Sequence, residues 1–79
     1  MTFYLVIIKN KDGGYATQLR SRPAATIPDM QSRRQKGYSQ AVRDAERIFG
    51  SLRWMDPVAF GITNQPYVVA MAMVNVTEG

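Results

Sequence analysis

The sequence predicts an α+β domain in which one helix covers one face of an antiparallel sheet. Three observations indicate this class: residues 38–52 are amphipathic with helical spacing, strand-like segments lie on both sides of them, and glycine-containing turns separate those segments. We therefore expect four strands in the order β-β-α-β-β, or five if residues 24–27 add an edge strand before the helix. The 79 residues are expected to form a single small domain.

The helix is predicted from the spacing of its apolar residues. These recur every three or four positions, as on one face of an α-helix: Ala41, Val42, Ala45, Ile48, Phe49 and Leu52. Ser39 is the expected N-cap, and Gly50 is suited to the left-handed conformation that ends a helix. Because so short a helix is only marginally stable alone in water, its apolar face must pack on the sheet.

A hairpin is predicted before the helix. Residues 2–9 are rich in aromatic and β-branched residues and are apolar on both faces, which favours a central strand covered on both sides. Residues 10–14 contain Asp-Gly-Gly and suit a tight turn. Residues 15–20 then return antiparallel to the first strand.

Two more strands are expected after the helix. Residues 57–63 alternate Val58, Phe60 and Ile62 with smaller residues, and residues 67–76 form the longest strand, with Met71 and Met73 as core filler on one face. The small residues of both strands would let the helix approach the sheet closely: Ala59, Gly61, Ala70 and Ala72. One helix covers only one face, so we expect the second apolar face to meet a partner or to be covered by the loop of residues 22–37.

Composition limits the chemistry. The chain has no cysteine and no histidine, so disulfides and thiolate metal sites are excluded, and the usual general base near pH 7 is missing. Asp44 and Glu46 point in different directions on the helix and suit surface ion pairs with Arg47 and Arg43. We therefore expect no enzyme activity, no cofactor and no metal.

Positive charge is concentrated in the middle of the chain. The whole sequence carries +4, whereas residues 20–53 carry eight Lys and Arg against three acidic residues. Seven of these eight are Arg, which suits bidentate contacts with carboxylate or phosphate. Residues 21–37 are expected to form an irregular basic loop, and the predicted partner-binding residues lie in and around it: Arg20, Arg22, Arg33, Arg34, Lys36 and Tyr38. A protein-binding surface, a nucleic-acid-binding surface and a solvated linker beside a charged helix face all fit this pattern.

A resemblance extends over about two-thirds of the chain. The first strand, the turn at Gly13, the Arg22-Pro23 pair, Gly37 and the alanine-containing helix follow one another in an order similar to the ββ(β)α opening of HicB-type antitoxins. That resemblance implies a non-enzymatic inhibitor that binds an RNA-cleaving toxin. By size and element pattern alone, the chain also resembles small phage anti-CRISPR proteins.

Both resemblances imply the same class of function. The chain is expected to bind a protein partner, a nuclease or a nucleoprotein complex, and to block it by steric occlusion in the cytoplasm of a bacterial host. The lack of a long apolar helical segment indicates no membrane partner. Two alternatives stay open, a direct nucleic-acid-binding module that uses the arginine-rich middle segment, and a structural domain that forms a homodimer.

Overall fold

A computed structural model describes residues 2–23 and 36–75. These residues form an α+β fold of β1 (Thr2–Lys9), β2 (Tyr15–Arg20), α1 (Tyr38–Phe49), a 3-10 helix (Pro57–Phe60) and β3 (Val68–Asn75). The α+β class is confirmed. Within the described ranges the antiparallel sheet has three strands, in the order β2-β1-β3, rather than the predicted four or five. The expected edge strand at residues 24–27 lies outside those ranges.

The predicted hairpin is confirmed. β1 pairs antiparallel with β2 on one side and with β3 on the other, so β1 is the central strand, as its two apolar faces indicate. The turn is closed by hydrogen bonds from the backbone N–H of Asn10 to the carbonyl of Gly14 (2.7 Å) and from the N–H of Gly13 to the carbonyl of Asn10 (3.0 Å). Gly13 has φ +90°, a conformation that favours glycine.

The predicted strand at residues 57–63 is wrong. Residues 57–60 form the 3-10 helix, because Asp56 and Pro57 are strong signals for a helical start. The Asp56 Oδ1 atom accepts a 3.0 Å hydrogen bond from the backbone N–H of Val58, and Pro57 occupies the first helical position, where its missing N–H costs nothing. This local capping outweighs the apolar alternation that follows it.

The face of small residues expected beneath the helix is only partly formed. Ala59 and Gly61 are exposed and lie outside the sheet, so they do not contribute to that face. Only Ala70 and Ala72, both buried in β3, lie where small residues were expected.

The helix packs on the sheet through its two buried alanines, Ala41 and Ala45. Ala45 packs with Leu5 and Val74, and Ala41 packs with Ile7 and Ala70. The short alanine side chains let the helix backbone approach the sheet.

Glycine flanks the helix at both ends, with Gly37 before it and Gly50 after it. The N-cap is Gly37, which makes no side-chain cap, and Ser39 lies inside the first turn, so the predicted Ser39 cap is wrong. At the other end the helix stops at Phe49, before Gly50, rather than at residue 52. Gly50 has the positive φ of +81° that favours glycine, but its ψ of −168° lies outside the predicted left-handed helical region.

The second face of the sheet is largely covered by the chain itself, which corrects the expectation of an open apolar face. Val6, Ile8 and Met71 are fully buried there, and Ile62 packs against them. The ring of Phe60 meets that of Tyr4 edge-on, with centroids 5.9 Å apart. The segment between α1 and β3 therefore covers the face that we expected a partner or the basic loop to cover.

Candidate partner-binding surface

Arg20, one of the predicted partner-binding residues, is part of the core rather than of an open surface. Its side chain is only 5% exposed and hydrogen-bonds to three neutral oxygens: Gln18 Oε1 (3.2 Å), the Pro23 carbonyl (3.3 Å) and Gln65 Oε1 (3.2 Å). Burial lowers the pKa of the Arg20 guanidinium from its ordinary value. The contacts indicate that Arg20 ties the end of β2 to the loop before β3.

Lys36 and Tyr38 hold the start of the helix against the start of β2. The Lys36 Nζ atom lies 2.9 Å from Asp44 Oδ2, and the Lys36 carbonyl accepts a 3.0 Å hydrogen bond from the backbone N–H of Tyr15. The Tyr38 ring meets that of Tyr15 edge-on at 5.6 Å. Lys36 therefore already has an ionic partner within the chain, while Tyr38 remains exposed.

The predicted site residues do not form one surface in the described ranges. Arg20 and Tyr15 occupy opposite ends of β2, about 17 Å apart at the usual rise of a strand, and Lys36 and Tyr38 lie at the Tyr15 end. Arg22 is exposed just after β2, whereas Arg33 and Arg34 lie outside the described residues.

The structure reveals an apolar surface that sequence reasoning missed, which we call the β3 margin and define as Met55 and Met73. Their exposed fractions are 36% and 59%. Met55 pairs directly with Met71 across the outer edge of β3, so the two side chains share a face of the sheet, and Met73 lies two residues further along on that face. The sequence feature that could have indicated this surface is the pair Met71 and Met73, which we expected to lie in the core. In the structure Met71 is buried and Met73 is exposed.

Within the described residues, the outer edge of β3 beside this margin pairs only with Met55. Both the N–H and the carbonyl of Met71 bond to Met55 (2.9 and 2.8 Å), so this side of β3 faces away from β1. The backbone groups of successive residues in a strand point to alternate edges, so the N–H and carbonyl of Met73 point to the same outer side as those of Met71. No backbone group in residues 2–23 or 36–75 bonds to Met73 on that side.

A groove lies next to the margin, where β3 begins. Its volume is 400 Å³, and polar groups of three residues line it among aliphatic walls. The lining residues are Asp56, Pro57, Val58, Ile62, Thr63, Gln65, Pro66, Val68 and Val69. The register between β1 and β3 shifts at this point, so that Val69 is the extra residue of a bulge.

Comparisons with family models, curated proteins and solved structures find no match to this chain. In the described part of the chain no three acidic side chains come together as a metal site would require, and no helix there has the length and apolar character needed to cross a membrane. The β3 margin presents apolar contact area beside backbone hydrogen-bonding groups, which are components of a recognition surface.

Proposed function

We propose that this chain is a non-enzymatic protein-binding module that inhibits a nucleic-acid-handling complex, a nuclease or nucleoprotein assembly, by steric occlusion. The observation that supports it is the β3 margin, where exposed apolar side chains lie beside a strand edge that no described residue beyond Met55 pairs with. Such an edge accepts an extended segment of a partner as an additional strand. The backbone then supplies affinity, and the side chains beside it supply specificity.

Methionines suit such a surface. Their flexible, polarizable side chains adapt to partners of different shape, and methionine is frequent on recognition surfaces. Full burial of one large apolar side chain contributes about 1.5–3 kcal/mol. Met73 is more than half exposed, so most of this contribution is still to be gained when a partner buries it.

The charge of the molecule supports the proposed class of partner. Four arginines are exposed in the described ranges: Arg22, Arg43, Arg47 and Arg53. Positive surfaces accelerate association with acidic protein surfaces and with complexes that hold nucleic acid. The resemblance to inhibitory antitoxins and anti-CRISPR proteins implies the same class.

The proposal is tested by quantitative capture from a nuclease-treated bacterial lysate with three versions of the chain. The wild type should retain a defined partner, and Met73→Glu should reduce its capture at least about tenfold, since an unpaired charge in an apolar contact costs more than about 1.4 kcal/mol. Ile48→Glu is the matched control, because Ile48 is 75% exposed on the helix and lies outside the margin.

A second measurement, of the partner's activity, is needed to test inhibition. The isolated partner should lose nucleic-acid binding or cleavage when wild-type chain is added, and should keep it when the Met73→Glu variant is added. Equal capture by both variants would remove the margin from the mechanism. Capture without any loss of partner activity would show a binding module that is not an inhibitor.

Direct nucleic-acid binding remains the second candidate, because the exposed arginines and Tyr38 are available to phosphates and bases. It requires an affinity that falls steeply with salt, and Arg43→Glu should weaken it. A flat gel-shift series with single- and double-stranded oligonucleotides at low salt would eliminate this function. The homodimer alternative requires twice the chain mass in sedimentation at micromolar concentration.

A further inference from the structure

Methionine is the only sulfur-containing residue type in this chain, which has five methionines and no cysteine. Oxidation of sulfur therefore falls on the thioether groups, each of which takes up one oxygen atom to give methionine sulfoxide. A thioether reacts readily where its side chain is exposed to the oxidant, and slowly where the packed core covers it. Exposure thus determines which methionine is modified.

The three methionines of the described ranges differ in exposure. Met71 is fully buried, Met55 is 36% exposed and Met73 is 59% exposed. Met71 and Met73 belong to the same strand and lie on the same face of the sheet, so the two thioethers differ in accessibility rather than in chemistry. An oxidant in solution should reach Met73 first, and should reach Met71 only after local opening of the sheet.

Oxidation of Met73 changes the surface of the molecule and leaves its core in place. Met73 pairs in register with Tyr4 of the central strand, but the hydrophobic clusters of the described residues do not include it. The sulfoxide oxygen is polar, and in the free chain water hydrogen-bonds to it because most of the residue is exposed. The fold should therefore tolerate the modification.

The same oxygen has a different effect when a partner covers the β3 margin. An apolar contact surface offers the sulfoxide no hydrogen-bond donor, and burial of a polar group without a hydrogen bond is costly. The flexible apolar side chain that suits methionine to recognition becomes a polar one. Oxidation of Met73 thus weakens binding at the margin far more than it weakens the fold.

From these observations we infer that Met73 is a site of reversible oxidation, and that its sulfoxide releases the partner bound at the β3 margin. The inference rests on the proposed function, because the surface that it switches is the one proposed to bind the partner. It adds a regulated state of that surface, which depends on the concentration of oxidant around the protein.

The reaction requires a peroxide as the oxidant. The O–O bond of hydrogen peroxide breaks, one oxygen atom forms the S–O bond of the Met73 sulfoxide, and the other oxygen leaves as water. The sulfur atom is oxidised by two electrons, which reduce the peroxide. Methionine sulfoxide reductases reverse the step with a dithiol, which is oxidised to a disulfide while the sulfoxide oxygen leaves as water.

The first test identifies the methionine that is oxidised. The folded full chain is treated with hydrogen peroxide, digested with trypsin and followed by mass spectrometry. Residues 54–79 contain no lysine or arginine, so Met55, Met71 and Met73 lie in one peptide, whose fragment ions separate them. Met73 should be oxidised at least about tenfold faster than Met71 in the folded chain, and at about the same rate in urea. Equal rates in the folded chain, or oxidation of Met55 ahead of Met73, would overturn the assignment.

The second test measures the effect of oxidation on partner capture. Met73→Leu keeps a similar apolar volume without an oxidisable sulfur, so it should capture the partner as the wild type does. After peroxide treatment the wild type should capture at least about tenfold less partner, whereas Met73→Leu should be unchanged. Treatment with a methionine sulfoxide reductase should restore capture by the wild type.

Two controls accompany this measurement. Met55→Leu retains Met73, so it should still lose capture on peroxide treatment. The urea unfolding midpoint of the wild type should be the same before and after treatment, and a lowered midpoint would show damage to the fold instead of a switch. Loss of capture by treated Met73→Leu, or retention of capture by treated Met55→Leu, would overturn the inference.

Failure of this inference is distinguishable from failure of the proposed function. If a wild-type chain oxidised at Met73 captures the partner as well as the untreated chain does, the binding module stands and the switch fails. If the untreated wild type captures no partner, the proposed function fails and the switch fails with it. Preferential oxidation of Met73 then stands or falls by the first test alone.

Discussion

The Nη1 atom of Arg20 donates a 3.2 Å hydrogen bond to Oε1 of Gln65, a residue 45 positions further along the chain. This contact joins the end of β2 to the loop that precedes β3, and with it the segment that covers the second face of the sheet. The same guanidinium bonds to Gln18 and to the Pro23 carbonyl. The buried Arg20 side chain thus connects β2, the segment just after β2, and the loop before β3.

Arg20→Lys is expected to destabilise the fold. Lysine keeps the charge but lacks the planar fork that reaches three acceptors, so the variant should lose about 1–3 kcal/mol of unfolding free energy. Urea denaturation measures this loss. The control, Arg22→Lys at an exposed position, should stay within about 0.5 kcal/mol of wild type. Equal stability of the two variants would show that the Arg20 contacts contribute nothing.

Ala41→Leu tests the close approach of the helix to the sheet. Ala41 is 0% exposed against Ile7 and Ala70, so three added carbon atoms have no space and should cost about 1–3 kcal/mol. Thermal and urea unfolding report the change. Ile48→Ala on the exposed part of the same helix should change stability by less than about 0.5 kcal/mol. A neutral Ala41→Leu would mean that the interface is loosely packed.

The carboxyl group of Asp44 is predicted to titrate below its ordinary range. Hydrogen bonds from Lys36 and then Gln40 are the main causes of the lowered pKa, and the charges of Lys36 and Arg47 add to them. A pKa that is lower in the folded state contributes stability above the unfolded-state pKa, and this contribution is lost as the pH falls through the folded-state value.

Two variants test this assignment by NMR titration of the Asp44 carboxyl carbon. Lys36→Met should raise the pKa of Asp44 clearly, because it removes both a hydrogen bond and a charge. Arg47→Met should raise it less, since the charge of Arg47 is the smallest of the effects that lower it. The opposite order would contradict the assignment of Lys36 as the main partner.

Gly50→Ala is expected to destabilise the end of the helix. Gly50 has φ +81° and ψ −168°, a region almost restricted to glycine, so alanine there should cost about 1–3 kcal/mol. Gly37→Ala is the matched control, because Gly37 has φ −70° and neither glycine has a neighbouring atom where the new Cβ would lie. Denaturation curves compare the two, and equal losses would refute the conformational argument.

Several elements could be predicted because their signals are local. The bounds of β1 and β2, the glycine turn and the helix that stops before Gly50 all follow from side-chain periodicity and backbone preference within about ten residues. Of the predicted apolar face of α1, Ala41 and Ala45 are buried, whereas Ile48 is exposed. The central position of β1 also followed from its two apolar faces. In each case the conformation is determined by residues that are close together in the sequence.

The failures came from competition between signals and from contacts between distant residues. At residues 57–63 apolar alternation favoured a strand, but the Asp56 cap and Pro57 favoured a helical turn, and nothing in the pattern itself ranks the two. Arg20 was predicted to bind a partner because it belongs to the arginine-rich middle of the chain. Only the approach of Gln65 in the folded chain provides the acceptors that allow its burial.

By itself, the sequence determined the class of fold, the first hairpin, the helix and the absence of histidine and cysteine chemistry. The tertiary structure decided which apolar side chains are covered, and therefore where a partner could bind. Met71 and Met73 have the same residue type, strand and face, yet the first is buried and the second is exposed. Burial depends on which distant segment crosses a strand at a given point, and that is a property of the packed chain rather than of either residue.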